Sequence, residues 1–186
     1  MEMDAIDLLT HDHRMVEQLF RDFHAAASAT QRNGVVDILV RELSKHAAAE
    51  ELIFYPFAGK ALRDEELVRR HLAEHMAVKE ALAELDALAR SDGRTGGRAE
   101  ELIELLRRDV EEHVQEEEGE LMPRLREAVD GTALLELGRA LAKAKGTAPT
   151  RPHPHAPDRP PALTVAAPVA AVYDRLRDRM QGRPRT

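Results

Sequence analysis

The segment His113-Val-Gln-Glu-Glu-Glu-Gly-Glu-Leu-Met-Pro123 has a near copy upstream, His46-Ala-Ala-Ala-Glu-Glu-Leu-Ile-Phe-Tyr-Pro56. In each copy a Glu follows the His by four residues and a Pro follows that Glu by six, so Glu50 aligns with Glu117. Four residues of an α-helix turn through about 400°, which leaves the His and Glu side chains roughly 40° apart on one face. An imidazole and a carboxylate on one face form half of a transition-metal site. Because the pair occurs twice at equal spacing, a metal site is favoured over an exposed surface pair.

Apolar residues recur at helical spacing through both copies and elsewhere in the chain. These stripes predict helices over about residues 4–27, 35–55, 64–90 and 98–129, with a loop at 91–97 and a short fifth helix over about 132–145. Asn33-Gly34 predicts the turn before the second helix. Pro56 and Pro123 should end or kink their helices, because proline lacks a backbone N–H and crowds the preceding turn. Four long helices joined by short turns predict an all-α fold, an up-down-up-down four-helix bundle followed by the fifth helix.

The end of the chain differs in composition from the predicted bundle. Residues 146–161 are rich in proline and polar residues, so we expect them to be extended or disordered rather than packed. Residues 169–180 have the spacing of a short amphipathic helix. The sequence therefore predicts one domain over residues 1–145 and a Pro-rich tail with a short C-terminal helix over residues 146–186.

Composition and charge exclude several classes of function. The formal net charge is −7 and no basic stripe with interleaved aromatic residues is present, which argues against a nucleic-acid partner. The chain has no Cys, which excludes disulfides, thiolate catalysis and Cys-ligated zinc or iron–sulfur sites. The N-terminus lacks the basic and apolar regions of a signal peptide, and no apolar run approaches the ~20 residues that span a bilayer. We therefore expect a cytoplasmic protein with no membrane partner.

Titratable residues interrupt the apolar stripes of the four long helices. Burying two carboxylates and five imidazoles without partners would cost about a few kcal/mol for each group, and more for charged ones. A metal compensates the carboxylates and accepts the imidazole lone pairs. Seven ligands exceed the four that zinc takes, whereas two iron or manganese ions suit this mixed nitrogen and oxygen set. The seven candidate ligands are His13, His46, Glu50, His71, His75, His113 and Glu117.

The combined pattern resembles a known family of metal proteins. Asp12-His13, His46-x-x-x-Glu50, His71-x-x-x-His75 and His113-x-x-x-Glu117 are similar to the motifs of the hemerythrin-like, or HHE cation-binding, domain over about residues 4–130. The resemblance implies a non-haem di-iron centre inside a four-helix bundle. Glu50 and Glu117 would bridge the two irons, and the five histidines would be terminal ligands. Members of the family bind dioxygen reversibly or are linked to oxygen, nitric oxide or iron sensing, peroxide handling, or iron storage.

The last carboxylate departs from the pattern of the dioxygen carriers, which place an Asp five residues after the fourth-helix His. Here Glu117 lies at four residues and Glu118 at five. On a straight helix Glu118 would point about 140° away from His113, although a π-bulge could bring it inward. The internal repeat favours Glu117, and we expect Glu118 to belong to a solvated acidic face. His75 is favoured over His71 as a ligand, because it aligns with His13.

Two functions fit such a site equally well, because an open coordination position serves binding or catalysis. The first is a di-iron protein that binds or senses dioxygen, nitric oxide or peroxide. The second is a di-iron enzyme that decomposes peroxide. Iron storage or iron sensing is a further alternative, but ferritin-like bundles carry Glu-x-x-His motifs on two helices, and the sequence lacks them. We expect His11, His24, His153 and His155 to lie outside the site.

Overall fold

The computed structural model describes residues 2–88 and 97–180, and the regular structure within these ranges is helical throughout. The all-α prediction is therefore confirmed, while most of the predicted loop at 91–97 lies outside the described residues. In chain order the elements are α1 (Ala5–Ala25), α2 (Ala29–Ala49), a first π turn (Glu50–Phe54), α3 (Tyr55–Leu62), α4 (Glu65–Leu88), α5 (Gly97–Glu116), a second π turn (Glu117–Leu121), α6 (Met122–Ala128), α7 (Gly131–Thr147) and α8 (Ala162–Met180).

Side-chain caps fix where the helices begin. Asp4 accepts a hydrogen bond from the backbone N–H of Asp7 at 2.9 Å, and Asp130 caps α7 in the same way. Ser28 accepts the N–H of Gln31, so α2 begins at Ala29 and the prediction of a turn at Asn33-Gly34 is wrong. A glycine inside a helix costs about 1 kcal/mol, and here a cap together with the buried residues that follow outweighs that cost.

The two predicted proline kinks are π turns at equivalent positions of the repeat. The N–H of Tyr55 bonds to the carbonyl of Glu50, and the N–H of Met122 bonds to the carbonyl of Glu117, five residues back in each case. A proline follows each π turn directly. The wider turn would leave the backbone N–H of that next residue without an acceptor, and proline has no such N–H. The helix predicted over residues 35–55 thus continues through the π turn into α3, which ends at Leu62.

Four helical segments surround a common interior. α1 contacts α2, α2 contacts α4, α4 contacts α5, and α5 contacts α1. The apolar core divides into two clusters along these helices. One includes Phe20, Leu39, Leu82 and Leu106, and the other includes Leu9 with residues of α3, α4, α6 and α7. The predicted ligands lie at or near the boundary between the two clusters along each helix, so apolar side chains flank the site on both sides.

α7 adds a fifth helix against α1, α2 and the first π turn. Its Gly138 allows this contact, because a Cβ atom at that position would lie 2.7 Å from the carbonyl oxygen of Met3. None of the helices in residues 2–88 and 97–180 has both the length and the hydropathy that a membrane span requires.

The prediction that residues 146–161 are unpacked is wrong for their first part. Thr150 and Arg151 are buried, and both of their backbone N–H groups donate to one carboxylate oxygen of Asp174 in α8. The Arg151 guanidinium donates to both oxygens of Asp86 in α4, at 2.8 and 2.9 Å. These partners are far apart in the chain, so residue spacing could not reveal them. α8 begins at Ala162, earlier than predicted, and the division of the chain at residue 145 stays a prediction.

We expect Arg151→Ala to lower the free energy of unfolding by about 3 kcal/mol, because it removes one partner of a buried ion pair. Urea unfolding followed by circular dichroism measures this change. Arg159→Ala is the control, since Arg159 is exposed and the same truncation there should change stability by less than about 0.5 kcal/mol. Equal effects of the two substitutions would show that Arg151 does not hold the tail on α4.

Candidate metal centre

All seven predicted ligands are buried, with exposures of 0 to 6%. Glu50 Oε2 lies 3.1 Å from His46 Nε2 and 3.3 Å from His75 Nε2. Glu117 Oε2 lies 3.5 Å from His13 Nε2 and 3.8 Å from His113 Nε2. Each carboxylate therefore contacts one imidazole from α1 or α2 and another from α4 or α5.

Two triads within this set could each hold a metal ion. His13, His46 and Glu50 offer ligand atoms that all lie within 4.8 Å of one another, and so do Glu50, His75 and His113. The triads share Glu50, which places one carboxylate between two possible ion positions. This arrangement joins α1 and α2 on one side to α4 and α5 on the other.

The hydrogen bonding of these groups is incomplete in a way that a cation would correct. Within the described residues, both oxygens of Glu50, Oε2 of Glu117 and Nε2 of His13 form no hydrogen bond of good geometry, although Oε2 of each glutamate lies 3.1 to 3.8 Å from imidazole nitrogens. A buried polar atom without a partner costs about 1–3 kcal/mol, and more when it is charged. Because the unpartnered atoms are lone-pair donors that converge, this donor set fits a metal cation.

His71 is buried but less central than the other histidines. Its ring stacks on Tyr55 with ring centroids 5.6 Å apart, and its Nδ1 lies 3.1 Å from Glu74. It forms a third possible cation group with Glu74 and His113, and its Nε2 has no hydrogen-bond partner among the described residues.

A layer of carboxylates holds the outer nitrogen of each imidazole. Glu118 lies 2.8 Å from His13 Nδ1, Asp12 lies 3.4 Å from His46 Nδ1, and Glu51 lies 3.1 Å from His75 Nδ1. Glu74 serves both His71 and His113, at 3.1 and 2.7 Å. A carboxylate on Nδ1 fixes the ring orientation and leaves Nε2 as the inward donor, which is how metal-binding histidines are commonly held.

Sequence reasoning missed this carboxylate layer, although the repeat contained a signal for half of it. Each copy has a pair of glutamates at equivalent positions, Glu50-Glu51 and Glu117-Glu118. In each pair the first side chain turns inward, while the second reaches a histidine of a neighbouring helix. The expectation that Glu118 belongs to a solvated face is therefore wrong. The π turn does not bring Glu118 into the centre, because Glu117 occupies that place at 0% exposure.

Cations neutralise three of these outer carboxylates. Lys79 lies 2.8 Å from Glu51, Lys145 of α7 pairs with Asp12, and Arg14 pairs with Glu118. In each case a cation, a carboxylate and an imidazole contact one another in series. Through the series that begins at Lys145, the fifth helix contacts the candidate metal centre.

Tyr55 is a central residue that the sequence did not indicate. Its hydroxyl donates to Glu117 Oε1 at 2.9 Å and lies 3.0 Å from His75 Nε2 and 3.5 Å from His113 Nε2. Burial, with the charges of Glu117 and Glu50, raises the pKa of Tyr55 well above 10. The phenol therefore keeps its proton in the metal-free protein.

The close carboxylates also change the titration of the imidazoles. Burial lowers the pKa of His13, but Glu117 and Glu50 outweigh burial and raise this pKa to about 9. Burial likewise lowers the pKa of His75, and Glu50 and Glu51 raise it to about 10. Burial raises the pKa of Glu117, yet the charges of His113 and His13 lower it below its ordinary value. Without a metal, protonated imidazoles thus serve as the counter-charges of the carboxylates.

A small cavity of about 20 Å³ adjoins the imidazoles on the side of the Phe20 cluster. It has room for little more than one water-sized molecule. Apart from four histidines its walls are apolar: Val16, Leu43, Ala47, Val78, Val110 and Val114.

The histidines that were predicted to lie elsewhere do so. His11 and His24 are exposed on α1. His153 is partly exposed and lies 3.0 Å from Asp174 in the tail, and His155 is exposed.

Comparison with known proteins agrees with this geometry. Residues 4–125 match the profile of the hemerythrin HHE cation binding domain. The chain belongs to this family. It is also 30% identical over 180 residues to an uncharacterized hemerythrin-like protein of Schizosaccharomyces pombe, an alignment that covers 96% of this chain and 87% of the yeast protein. No solved structure matched the chain significantly. The resemblance seen in the sequence is confirmed, and the seven predicted ligands lie within the matched range.

We expect the metal-free HHE protein to lose stability as the pH rises from about 6.5 to 10. A folded-state pKa above the ordinary 6.5 stabilises the fold below pH 6.5, and this contribution disappears as the pH passes through about 9 for His13 and about 10 for His75. The loss should be on the order of a few kcal/mol in urea unfolding. His13→Gln should reduce this pH dependence, whereas His24→Gln at an exposed position should retain it. A metal-free stability that stays constant from pH 6.5 to 10 would contradict the assignment.

Proposed function

We propose that this HHE protein is a non-haem di-iron protein that binds or senses dioxygen, nitric oxide or peroxide at a carboxylate-bridged centre. The observation that carries the proposal is the position of Glu50 and Glu117, each between imidazoles of both helix pairs. A carboxylate has two oxygens and can serve two ions at once, whereas an imidazole Nε2 serves one. The layout of the site supports two ions with shared carboxylates.

In this proposal each ion has its own histidines. His13 and His46 would hold one ion, and His75 and His113 would hold the other, with His71 beside them. Glu50 and Glu117 would be shared. Tyr55 offers a further oxygen donor on the side of His75. The carboxylates and imidazoles suit iron or manganese, and the lack of Cys argues against copper(I).

The protein's own residues would prepare the site for a small ligand. The carboxylates on Nδ1 hold the imidazoles in place, and apolar clusters flank the site on both sides. The adjoining cavity has room for a molecule close to water in size, which agrees with a small ligand such as a diatomic gas. When bound, the iron pair would supply an open coordination position and a change of redox state.

Decomposition of peroxide is the second candidate function, and Tyr55 is the observation that favours it. Its hydroxyl holds a proton at the centre of the site, where it donates a hydrogen bond to Glu117 Oε1 at 2.9 Å. A positioned proton donor is what general acid catalysis requires. Oxygen release from excess peroxide distinguishes the two functions. A binding protein consumes an amount of peroxide proportional to its own amount, whereas an enzyme releases oxygen until the peroxide is used up.

Other features predicted from the sequence stay part of the proposal. They are the up-down-up-down order of the four helical segments, a cytoplasmic location, and the absence of nucleic-acid and membrane partners. The helix contacts are those that such a bundle would have, and the net charge of −7 disfavours anionic partners.

Replacing either shared carboxylate should remove iron. We expect about two irons per chain in the aerobically reconstituted protein, and no more than about one in Glu50→Gln or Glu117→Gln, because glutamine keeps the size but not the charge. Elemental analysis after gel filtration measures the content. Glu112→Gln is the control, since Glu112 is exposed on α5, the helix that leads into the π turn with Glu117, and it should keep two irons. About one iron per wild-type chain, or a preference for zinc, would overturn the dinuclear proposal.

Glu118→Gln tests the carboxylate layer separately from the ligands. We expect it to keep two irons but to bind them about 10–100-fold more weakly in competition with a chelator, because His13 loses the charged partner of its Nδ1. Glu120→Gln, at an exposed position two residues further on, should leave the affinity unchanged. If Glu118→Gln loses iron while Glu117→Gln does not, Glu118 is the ligand instead.

A further inference from the structure

α8 has apolar residues on both of its sides. Residues 162–173 contain no charged side chain. One side of the helix is buried against the rest of the chain through Leu163, Ala167 and Ala171. The other side faces solvent. A helix that is apolar all round is normally covered all round, so within residues 2–88 and 97–180 this helix is covered on only half of its surface.

The uncovered side forms one continuous row, which we call the α8 stripe. Its residues are exposed by 53 to 82%, and together they present on the order of 600 Å² of apolar surface. The largest apolar patch of a typical monomer is about 300–600 Å², and patches of this size usually mark an interaction site. The stripe consists of Val165, Val169, Val172, Tyr173, Leu176 and Met180.

The chain holds this helix firmly enough to present the stripe. Asp174 is 1% exposed and accepts the backbone N–H groups of Thr150 and Arg151 at 3.1 and 3.0 Å. Arg175 donates to the carbonyl of Gly146 at 2.8 Å, which holds α8 close to the end of α7. The stripe is therefore on an anchored element.

The spacing of the stripe residues along the chain is palindromic, with successive separations of 4, 3, 1, 3 and 4 residues. We propose that a second copy of this chain covers the stripe, with the two α8 helices antiparallel about a two-fold axis between Val172 and Tyr173. In that alignment Val165 is level with Met180 of the other copy, Val169 with Leu176, and Val172 with Tyr173. Every level then pairs a short valine with a larger side chain. A two-fold interface requires this reciprocity, since each residue pair must occur twice.

The charges on α8 agree with the antiparallel alignment. The arginines at 175, 177 and 179 lie in the C-terminal half, and antiparallel pairing sets them level with Ala170, Pro168 and Ala166 of the other copy. A parallel alignment would set each arginine beside its own equivalent, which is unfavourable. Two stripes together would bury on the order of 1,200 Å², the lower end of the range for specific interfaces.

A membrane surface is a less suitable partner for the same helix. Helices that lie on membranes have a solvent-exposed charged face opposite the apolar one. The face opposite the α8 stripe is instead buried against the rest of the chain, through Leu163, Ala167, Ala171 and Asp174. The net charge of −7 would also oppose binding to anionic lipid.

Sedimentation of the iron-loaded protein with residues 1–186 tests the proposal. We expect a dimer at micromolar concentration, and at least a 100-fold weaker dimer for Val172→Asp, which places two carboxylates beside the axis. Thr164→Asp is the control, because Thr164 is exposed on α8 but points away from the stripe. Both variants should keep the iron content of the wild type. A wild-type protein that stays monomeric up to about 100 µM, or that binds neutral or anionic vesicles through the stripe instead, would overturn the proposal.

Cysteine cross-linking tests the antiparallel alignment, because the natural chain has no Cys to interfere. Val172→Cys should form a disulfide-linked dimer on mild oxidation, since the two copies of this residue face each other near the axis. Val165→Cys should not, although this position is more exposed, because the two copies would lie 15 residue levels or about 22 Å apart. A mixture of Val165→Cys and Met180→Cys chains should link to each other. Linking of Val165→Cys to itself as readily as Val172→Cys would exclude this axis.

Discussion

Glu50 and Glu117 are completely buried in a helical interior, and a carboxylate in such a place requires a counter-charge. The surrounding structure supplies nearby imidazoles from four helices, and the outer nitrogens of those imidazoles meet further carboxylates. Lysine and arginine side chains then neutralise three of the outer carboxylates at the edge of the bundle. Negative and positive groups thus alternate from the centre outward. A change of charge in one layer therefore alters the charge that the next layer must balance. A cation between the two carboxylates would let the imidazoles act as neutral ligands, and this is why metal binding and stability should be linked.

The parts of this site that could be read from the sequence are those that depend on spacing within one helix. His46 with Glu50, and His113 with Glu117, are four residues apart, so helical geometry alone brings each pair together. Burial of the seven candidate ligands followed from their places on apolar stripes. What could not be read depends on contacts between distant residues. Lys145 reaches Asp12 across 133 positions, and no periodicity relates them.

Local distortion accounts for the other omissions. Tyr55 follows Glu50 by five residues, which on a straight helix is about 140° around the axis and away from the site. The π turn between them adds a residue to that turn, and the Tyr55 hydroxyl reaches Glu117 and His75. The prolines after both π turns are evident in the sequence. A proline predicts that a helix ends or kinks, but it does not predict that the distortion is a π turn. A search of the repeat for its doubled glutamates would have identified Glu51 and Glu118.

The polar layer also divides the apolar core of the bundle into two separate clusters. In most small domains one continuous core makes unfolding a single cooperative event. Here a layer of buried charged groups separates the two halves. Apolar packing contributes little to stability across that layer when no cation is present. Metal-free molecules should therefore be able to open at one end while the other keeps its structure, and amide hydrogen exchange would divide into two sets of protection. Bound ions would fasten the halves together, so that occupancy of the centre controls whether the domain behaves as one cooperative unit.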